Sequence, residues 1–252
     1  MEVHQHAHGN HAKKGWREYF WEFLMLFLAV FCGFLAEYQL EHVIEHQREE
    51  KFAASLYEDL KEDSADIKGN MPFWNSVIQK ADTARTEIEK PAAKRNVLLL
   101  YRCIAYMRLY SNFEYHDRTI EQLKNGGNFR LIRKPDVADS LIDYDALVKS
   151  HLRDQEMQSN DVWRNLNYLQ DKFLNSKYVV STVKFPDLAD SLYLSDPVAF
   201  EILPHSEADL FEYYNRLQFY STMTRFRIHT LRQLEEKSKN LISMLKKEYE
   251  LP

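Results

Sequence analysis

Hydrophobic positions along this chain follow two patterns, a continuous run near the amino terminus and a helical spacing in most of the remainder. The run covers residues 23–36, fourteen positions without a charge. Further along, apolar residues recur every three or four positions and strand-like alternation is scarce, which predicts helices. The pattern therefore predicts an all-α protein in which a single amino-terminal transmembrane helix continues into an antiparallel helical bundle.

The apolar run reads as a membrane helix only together with its aromatic flanks. Fourteen residues of helix rise about 21 Å, whereas the hydrocarbon layer is about 30 Å thick. Tyr19 and Tyr38 bracket a helix of about 30 Å with interfacial rings at both ends. A cleaved signal peptide is the alternative, but bulky Phe34 precedes the cut expected at Ala36, where a small residue is required. We therefore expect an uncleaved anchor.

The charges beside the run predict its orientation. Basic residues precede it and acidic residues follow it: Lys13, Lys14 and Arg17, then Glu37, Glu41 and Glu45. Positive charges favour the cytoplasmic side. We expect a bacterial inner-membrane protein with a cytoplasmic amino terminus and a periplasmic carboxyl-terminal domain.

The two faces of the membrane helix differ. At 100° per residue, Glu22, Ala29, Gly33, Ala36 and Glu37 fall on one stripe. The opposite face is bulky: Phe20, Leu24, Phe27, Phe31, Leu35 and Tyr38. Small residues let helices approach closely, and acids at membrane depth usually face protein or water, so the stripe is predicted to pack against another chain. Alternatively, both glutamates reach water at the two interfaces and the small residues carry no function.

Proline, glycine and polar clusters predict the organisation of the chain. The domains are a flexible histidine-rich cytoplasmic tail (1–12), the transmembrane helix with its flanks (13–40), a stalk helix (41–69) and a periplasmic helical domain that packs with the stalk (70–252). The stalk is expected to break near Gly69. Later helices are predicted at 73–89, 91–111, 119–124, 135–177 with an interruption near Ser159, and 207–249, with a proline-containing loop at 179–206.

Composition excludes some functions. The net charge is -5 with mixed signs, so no basic stripe favours a nucleic-acid partner. The two cysteines cannot form a disulfide framework: Cys32 lies in the apolar run, and Cys103 has the apolar neighbours of a buried thiol.

Short histidine motifs suggest metal chemistry only weakly. His42, Glu45 and His46 match the H-x-x-E-H pattern of one metalloprotease class, in which two imidazoles hold zinc beside a glutamate base. No third ligand accompanies them, so a solvated stalk is the favoured interpretation. The tail contains four further histidines, His4, His6, His8 and His11, but no cysteine or carboxylate cage, so a solubilising tail is favoured there. We predict no cofactor.

Two other patterns have simple structural interpretations. The segment 125–128 (NGGN) follows a helix and lacks the strand, lysine and hydroxyl of a phosphate loop, so it predicts a helix cap. Tyrosines and arginines could line an anion pocket. The favoured interpretation is that they lie at the edges of the packed core, with the tyrosine hydroxyls in contact with water. They are Tyr101, Arg102, Tyr106, Arg108, Tyr213, Tyr214, Arg216 and Tyr220.

The segment from Thr119 to Tyr144, which follows an amino-terminal anchor, resembles a family of uncharacterised one-pass membrane proteins of Bacteroidota. The positions that carry the resemblance are Thr119, Leu123, Gly126 or Gly127, Leu131, Ile132 and Tyr144. The membrane segment of this chain is more aromatic and more acidic than the pattern of that family. The resemblance implies a bacterial inner-membrane setting and a helical outer domain, and it implies no activity.

These observations favour a non-enzymatic scaffold or accessory subunit of a homo-oligomer or larger membrane complex. Its partners would be the lipid bilayer and other membrane chains, or further copies of itself, reached through the transmembrane helix. The alternative is a periplasmic ligand-binding sensor bundle that signals through a partner.

Overall fold

The computed structural model describes residues 15–176, 178, 201–204 and 206–252. Its α-helices are α1 (Trp16–Glu89), α2 (Val97–Met107), α3 (Arg118–Asn125), α4 (Pro135–Met157), α5 (Arg164–Phe173) and α6 (Glu207–Tyr249). Short 3₁₀ turns cover Ala92–Lys94 and Asn128–Leu131, and a π-helical segment, Gln158–Trp163, joins α4 to α5. The described residues contain no strand, so the predicted all-α fold is confirmed.

The chain divides into two units, Met1–Lys51 and Phe52–Pro252. The described part of the first unit belongs almost entirely to α1. It contains an 18-residue window that is long and apolar enough to cross a membrane, and none of that window is buried. This length and composition are compatible with a membrane anchor.

In the second unit, α6 packs antiparallel along α1. Near the start of α6, the Tyr214 hydroxyl donates to Glu89 over 2.5 Å. Further along, Arg225 donates to Asp82 over 2.8 Å, and the Tyr57 hydroxyl donates to the backbone oxygen of Pro252 over 2.9 Å. The partners on α1 move towards its amino terminus as α6 advances, which confirms the antiparallel arrangement.

The apolar spacing of α6 forms one side of the core. Ser206 caps the helix by accepting the backbone N–H of Asp209 over 3.0 Å, as an N-cap serine does. The positions that recur at heptad-like spacing along α6 are all buried: Leu210, Tyr213, Leu217, Tyr220, Thr224, Leu231, Leu234, Leu241 and Leu245. Arg227 and Ser238, which break the apolar series, are also buried.

The helices α4 and α5 pack on α6 in the opposite chain direction. Lys134, which precedes α4, pairs with Glu248 at 3.1 Å, and Lys172 near the end of α5 pairs with Asp209 at 2.7 Å. The π-helical segment lies where an interruption near Ser159 is predicted. The wider turn of this π-helical segment shifts the helical register, so that α4 and α5 both direct their buried side chains towards the core.

The predicted break near Gly69 is wrong, because α1 continues through Pro72 to Glu89. Proline removes one N–H and crowds the carbonyl four residues earlier, here that of Lys68. Lys68, Gly69 and Pro72 are all exposed, so water can satisfy that carbonyl. On the other side of the helix Trp74 and Val77 are buried, and their packing holds the helix together. The stalk helix and the helix predicted at 73–89 are thus one element.

Other boundaries shift by a few residues. The helix predicted at 91–111 begins only at Val97, where Asn96 accepts the Leu99 N–H over 3.0 Å, and it ends at Met107. Gly127 adopts a left-handed φ of 61° beyond α3, as the cap prediction requires. Cys103 is buried and unpaired, as expected. Most of the predicted loop at 179–206, including Pro186 and Pro197, lies outside the described residues.

Candidate functional site

The predicted interaction stripe lies in the helical part of the first unit. Glu22 is partly buried, whereas Ala29, Gly33, Ala36 and Glu37 are exposed. A methyl group added at Gly33 would meet no atom within 4 Å. Because 16–89 is helical throughout, the five residues share one side of α1. The surface is therefore narrow, sterically open and edged by two carboxyl groups.

Aromatic rings cover another side of the same segment. Phe27 stacks on Phe23 at 6.2 Å and on Phe31 at 5.9 Å between ring centroids. These contacts are the one-turn neighbours expected on a helix. At the carboxyl end, the ring of Tyr38 meets that of His42 edge-on at 4.3 Å. The segment thus presents a wide aromatic surface and a small-residue stripe.

The H-x-x-E-H residues have local partners. His42 lies against Tyr38, and His46 is 3.8 Å from Glu49 and 3.4 Å from Glu50. Within the described ranges, no group of three or more histidine, cysteine, aspartate or glutamate side chains could hold a metal ion. The four tail histidines, and Lys13 and Lys14, lie outside those ranges.

The candidate tyrosines and arginines are mostly in packing contacts. Tyr101 donates to the Glu201 carbonyl over 2.9 Å and accepts the Asn175 N–H over 2.8 Å. Gln170 connects two others, because it accepts from Arg108 over 2.8 Å and donates to the Tyr213 hydroxyl over 3.2 Å. Tyr220 differs, since its ring lines a small cavity beside Arg227.

A row of side-chain acceptors on α1 holds the segment that leads from α2 to α3. Asp66 accepts the backbone N–H of Glu114 over 2.9 Å. Asp63 accepts that of His116 over 2.9 Å, and Asp59 that of Thr119 over 3.1 Å. The acceptors recur three or four positions apart, so they lie on one side of α1. We call this row the acidic ladder; it satisfies the backbone of a connection that has no strand partner.

Asp63 is the most buried member of the ladder, with 1% of its surface exposed. Its carboxylate also accepts from the Tyr144 hydroxyl over 2.8 Å and contacts Nδ1 of His116 at 2.9 Å. Burial by itself lowers the pKa of His116, but the hydrogen bond to Asp63 and the nearby negative charges outweigh it, so the pKa is raised. His116 is thereby favoured as the charged partner of Asp63.

A second charged cluster adjoins the ladder. Asp145 accepts from the Tyr115 hydroxyl over 3.1 Å and contacts Lys124. Lys149 reaches Glu121 at 2.8 Å and Asp145 at 3.4 Å. Burial, followed by the charge of Asp145, raises the pKa of Tyr115, so its hydroxyl remains a donor. Since the carboxylates have donors from the fold itself, the arrangement serves to position the connection and α3.

The sequence prediction missed the acidic ladder, although a signal was present. Asp59, Asp63 and Asp66 follow helical spacing and alternate with buried Leu56, Leu60 and Ile67. Charges on a helix usually indicate a solvated face. Only the position of the 111–119 segment shows that these carboxylates face backbone N–H groups.

Comparison of the chain with protein-family models, with curated proteins and with solved structures found no match.

Proposed function

We propose that this protein is a non-enzymatic, single-pass membrane scaffold or accessory subunit. The observation that supports the proposal best is the long apolar window of α1, none of which is buried by the rest of the described chain. Water does not tolerate so large an apolar surface on one isolated helix, whereas lipid does. The resemblance to one-pass membrane proteins of Bacteroidota supports the same setting.

In this proposal the stripe of Glu22, Ala29, Gly33, Ala36 and Glu37 contacts a second membrane helix. The partner is another copy of this chain or a subunit of a larger complex. Open space at Gly33 supports close approach of a partner backbone. The stacked phenylalanines are suited to lipid tails. The helical domain then scaffolds contacts beyond the membrane.

The association can be tested with the double variant Ala29→Leu/Gly33→Leu in the full chain. Larger side chains on the stripe should block close approach and reduce the particle mass in mild detergent, measured by light scattering. The matched control is Phe27→Leu/Phe31→Leu, which alters the aromatic side and should leave the mass unchanged. An unchanged mass for the stripe variant, or an equal loss for both variants, would contradict this interface.

The proposed orientation places the carboxyl-terminal domain in the periplasm. Arg17 before the apolar run, together with Lys13 and Lys14, supports it through the positive-inside rule. Alkaline phosphatase fused after Pro252 is active only in the periplasm, so the fusion should be active in cells. If only a fusion at the amino terminus were active, the proposed orientation would be wrong.

A further inference from the structure

A small cavity in the helical domain contains a buried positive charge. Arg227 of α6 has 5% of its surface exposed. Its guanidinium lies over the ring of Trp74 at 4.1 Å from the centroid. Among the described residues, no carboxylate pairs with Arg227 and no side chain or carbonyl accepts a hydrogen bond from it. A cation–π contact offsets only part of the free energy of burying a charge.

The other cavity walls also present hydrogen-bond donors. Tyr220, 4% exposed, and Gln158, 7% exposed, line the same cavity as Arg227. In the part of the chain that the structure describes, neither side chain has a hydrogen-bond partner. The polar atoms of Arg227, Tyr220 and Gln158 are not sealed off, since none of them is among the fully buried side-chain atoms that lack a hydrogen-bond partner, so a small group can reach all three. Three polar side chains that have no hydrogen-bond partner in the described ranges, from α6 and the π-helical segment, therefore line one cavity.

The cavity leaves about 10 Å³ for a water-sized group. This is the space open to the centre of one small group, and the pocket is partly open to the surface, so a single ion slightly larger than water can enter. The remaining walls are Tyr110, Ser159, Trp74 and Trp163. Ser159 and Tyr110 hydrogen-bond each other over 3.2 Å, and the Trp163 indole donates to the Met107 carbonyl over 3.1 Å. The pocket is thus small, and within the described ranges its lining includes no acidic side chain.

The charge of this site is positive around neutral pH. Burial lowers the pKa of Arg227 to about 10, so the guanidinium remains protonated. Burial, and then the charge of Arg227, lowers the pKa of nearby His151 to about 4, so the imidazole is neutral. Burial raises the pKa of Tyr220 to about 12, so its hydroxyl is protonated. One net positive charge therefore lies in the cavity wall beside neutral donors.

We propose that this cavity binds one small monovalent anion of about the size of chloride, held by Arg227, Tyr220 and Gln158. A neutral water could satisfy some of the donors, but it would leave the buried charge uncompensated. The π-helical segment supplies Gln158 and Ser159 to the site, and such segments often occur at functional sites. This inference does not depend on the membrane association proposed above.

Chloride titration of the full chain in mild detergent tests the proposal. The protein is exchanged into sodium gluconate, whose anion is too large for the cavity, and chloride is added at constant ionic strength. The midpoint of thermal unfolding should rise and then saturate, because a ligand of the folded state stabilises it. A flat response would show that water alone occupies the cavity and would overturn the proposal.

Two variants identify the site. Arg227→Met should abolish the chloride response and remain folded, because removing an uncompensated buried charge is often neutral or stabilising. Arg232→Met, at an exposed position on the same helix, loses the same charge and should respond like wild type. An equal response of Arg227→Met and wild type would refute the site.

A milder variant keeps the test decisive if Arg227→Met does not fold. Tyr220→Phe removes only one hydroxyl and should raise the half-saturating chloride concentration about tenfold, the effect of a lost hydrogen bond to a charged group. A half-saturation within about twofold of wild type would exclude Tyr220 as a ligand and, with it, the proposed coordination.

Discussion

Replacing His151 with leucine should stabilise the protein, and the gain should increase as the pH falls. His151 on α4 has 3% of its surface exposed, and its Nε2 atom is buried without a hydrogen-bond partner. Its ring meets that of Phe113 edge-on at 6.0 Å. Leucine is apolar and close to histidine in size, so it removes the unsatisfied nitrogen without opening a large cavity.

The magnitude at neutral pH follows from two opposing effects. An unsatisfied buried polar group costs about 1–3 kcal/mol. Losing the edge-on ring contact costs about 0.5–1 kcal/mol. We expect His151→Leu to raise the free energy of unfolding by about 1 kcal/mol near pH 7.5.

The pH dependence follows from proton linkage. The pKa of His151 is lowered from 6.5 to about 4 by burial and by the charge of Arg227. The unfolded chain therefore binds this proton at a higher pH than the folded chain does. The contribution of neutral His151 to the free energy of unfolding is fully present above the pKa that histidine has in the unfolded chain. It is lost as the pH drops from that pKa towards the lower pKa of the folded state. Between about pH 7.5 and about pH 5 the loss from His151 amounts to about 2 kcal/mol.

Urea unfolding of the full chain, followed by far-ultraviolet circular dichroism in mild detergent and chloride-free buffer, measures both effects. The advantage of His151→Leu should grow from about 1 kcal/mol near pH 7.5 to about 3 kcal/mol near pH 5. Carboxylates titrate in both proteins, so the difference isolates His151. His229→Leu, at an exposed position on α6, is the control and should follow wild type. Parallel pH profiles for wild type and His151→Leu would refute the assignment of a neutral, desolvated imidazole.

Two further predictions concern the backbone and the acidic ladder. Gly127→Ala should destabilise the domain by about 1 kcal/mol in urea unfolding, because φ is 61° there. Gly69→Ala should stabilise the domain by up to about 1 kcal/mol, since that position is helical with open space around it. If both variants changed the stability in the same direction, the left-handed conformation at Gly127 or the helical conformation at Gly69 would be wrong. Asp63→Ala should cost about 3 kcal/mol by leaving the His116 N–H and the Tyr144 hydroxyl unsatisfied. Exposed Glu62→Ala, which loses only a pair to His116, should cost less than about 1 kcal/mol, and equal losses would refute the role of the ladder.

Local patterns predicted the helices whose ends carry clear signals. The bounds of α6 match the prediction of 207–249, because Ser206 caps its start and one apolar stripe runs its whole length. The cap at Gly127 was predictable for a similar reason, since glycine readily takes a left-handed φ. The break at Gly69 was not, because it depended on whether Pro72 faces water or protein.

Polar residues in the core were harder to predict than apolar ones. Arg227 interrupts the apolar series of α6, and helical spacing alone does not show whether such a residue is buried. In the structure the same residue lies over Trp74 and, together with Tyr220, lines a small cavity. Trp74 is separated from Arg227 by more than 150 positions, as their numbers show. Helical spacing relates neighbours within one element and says nothing of pairs this far apart.

The sequence by itself determined the all-α class, the apolar run whose aromatic flanks extend it to the thickness of a membrane, and the buried face of α6. Each of these depends on periodicity and composition within a single segment, where side-chain direction follows from the helix. The tertiary structure decided that α1 continues past Pro72, that the aspartates of the acidic ladder hold the 111–119 segment, and that Arg227 is buried with no carboxylate partner among the described residues. These outcomes depend on which surfaces meet, since a charged or helix-breaking residue is tolerated or not according to the donors, acceptors and water around it.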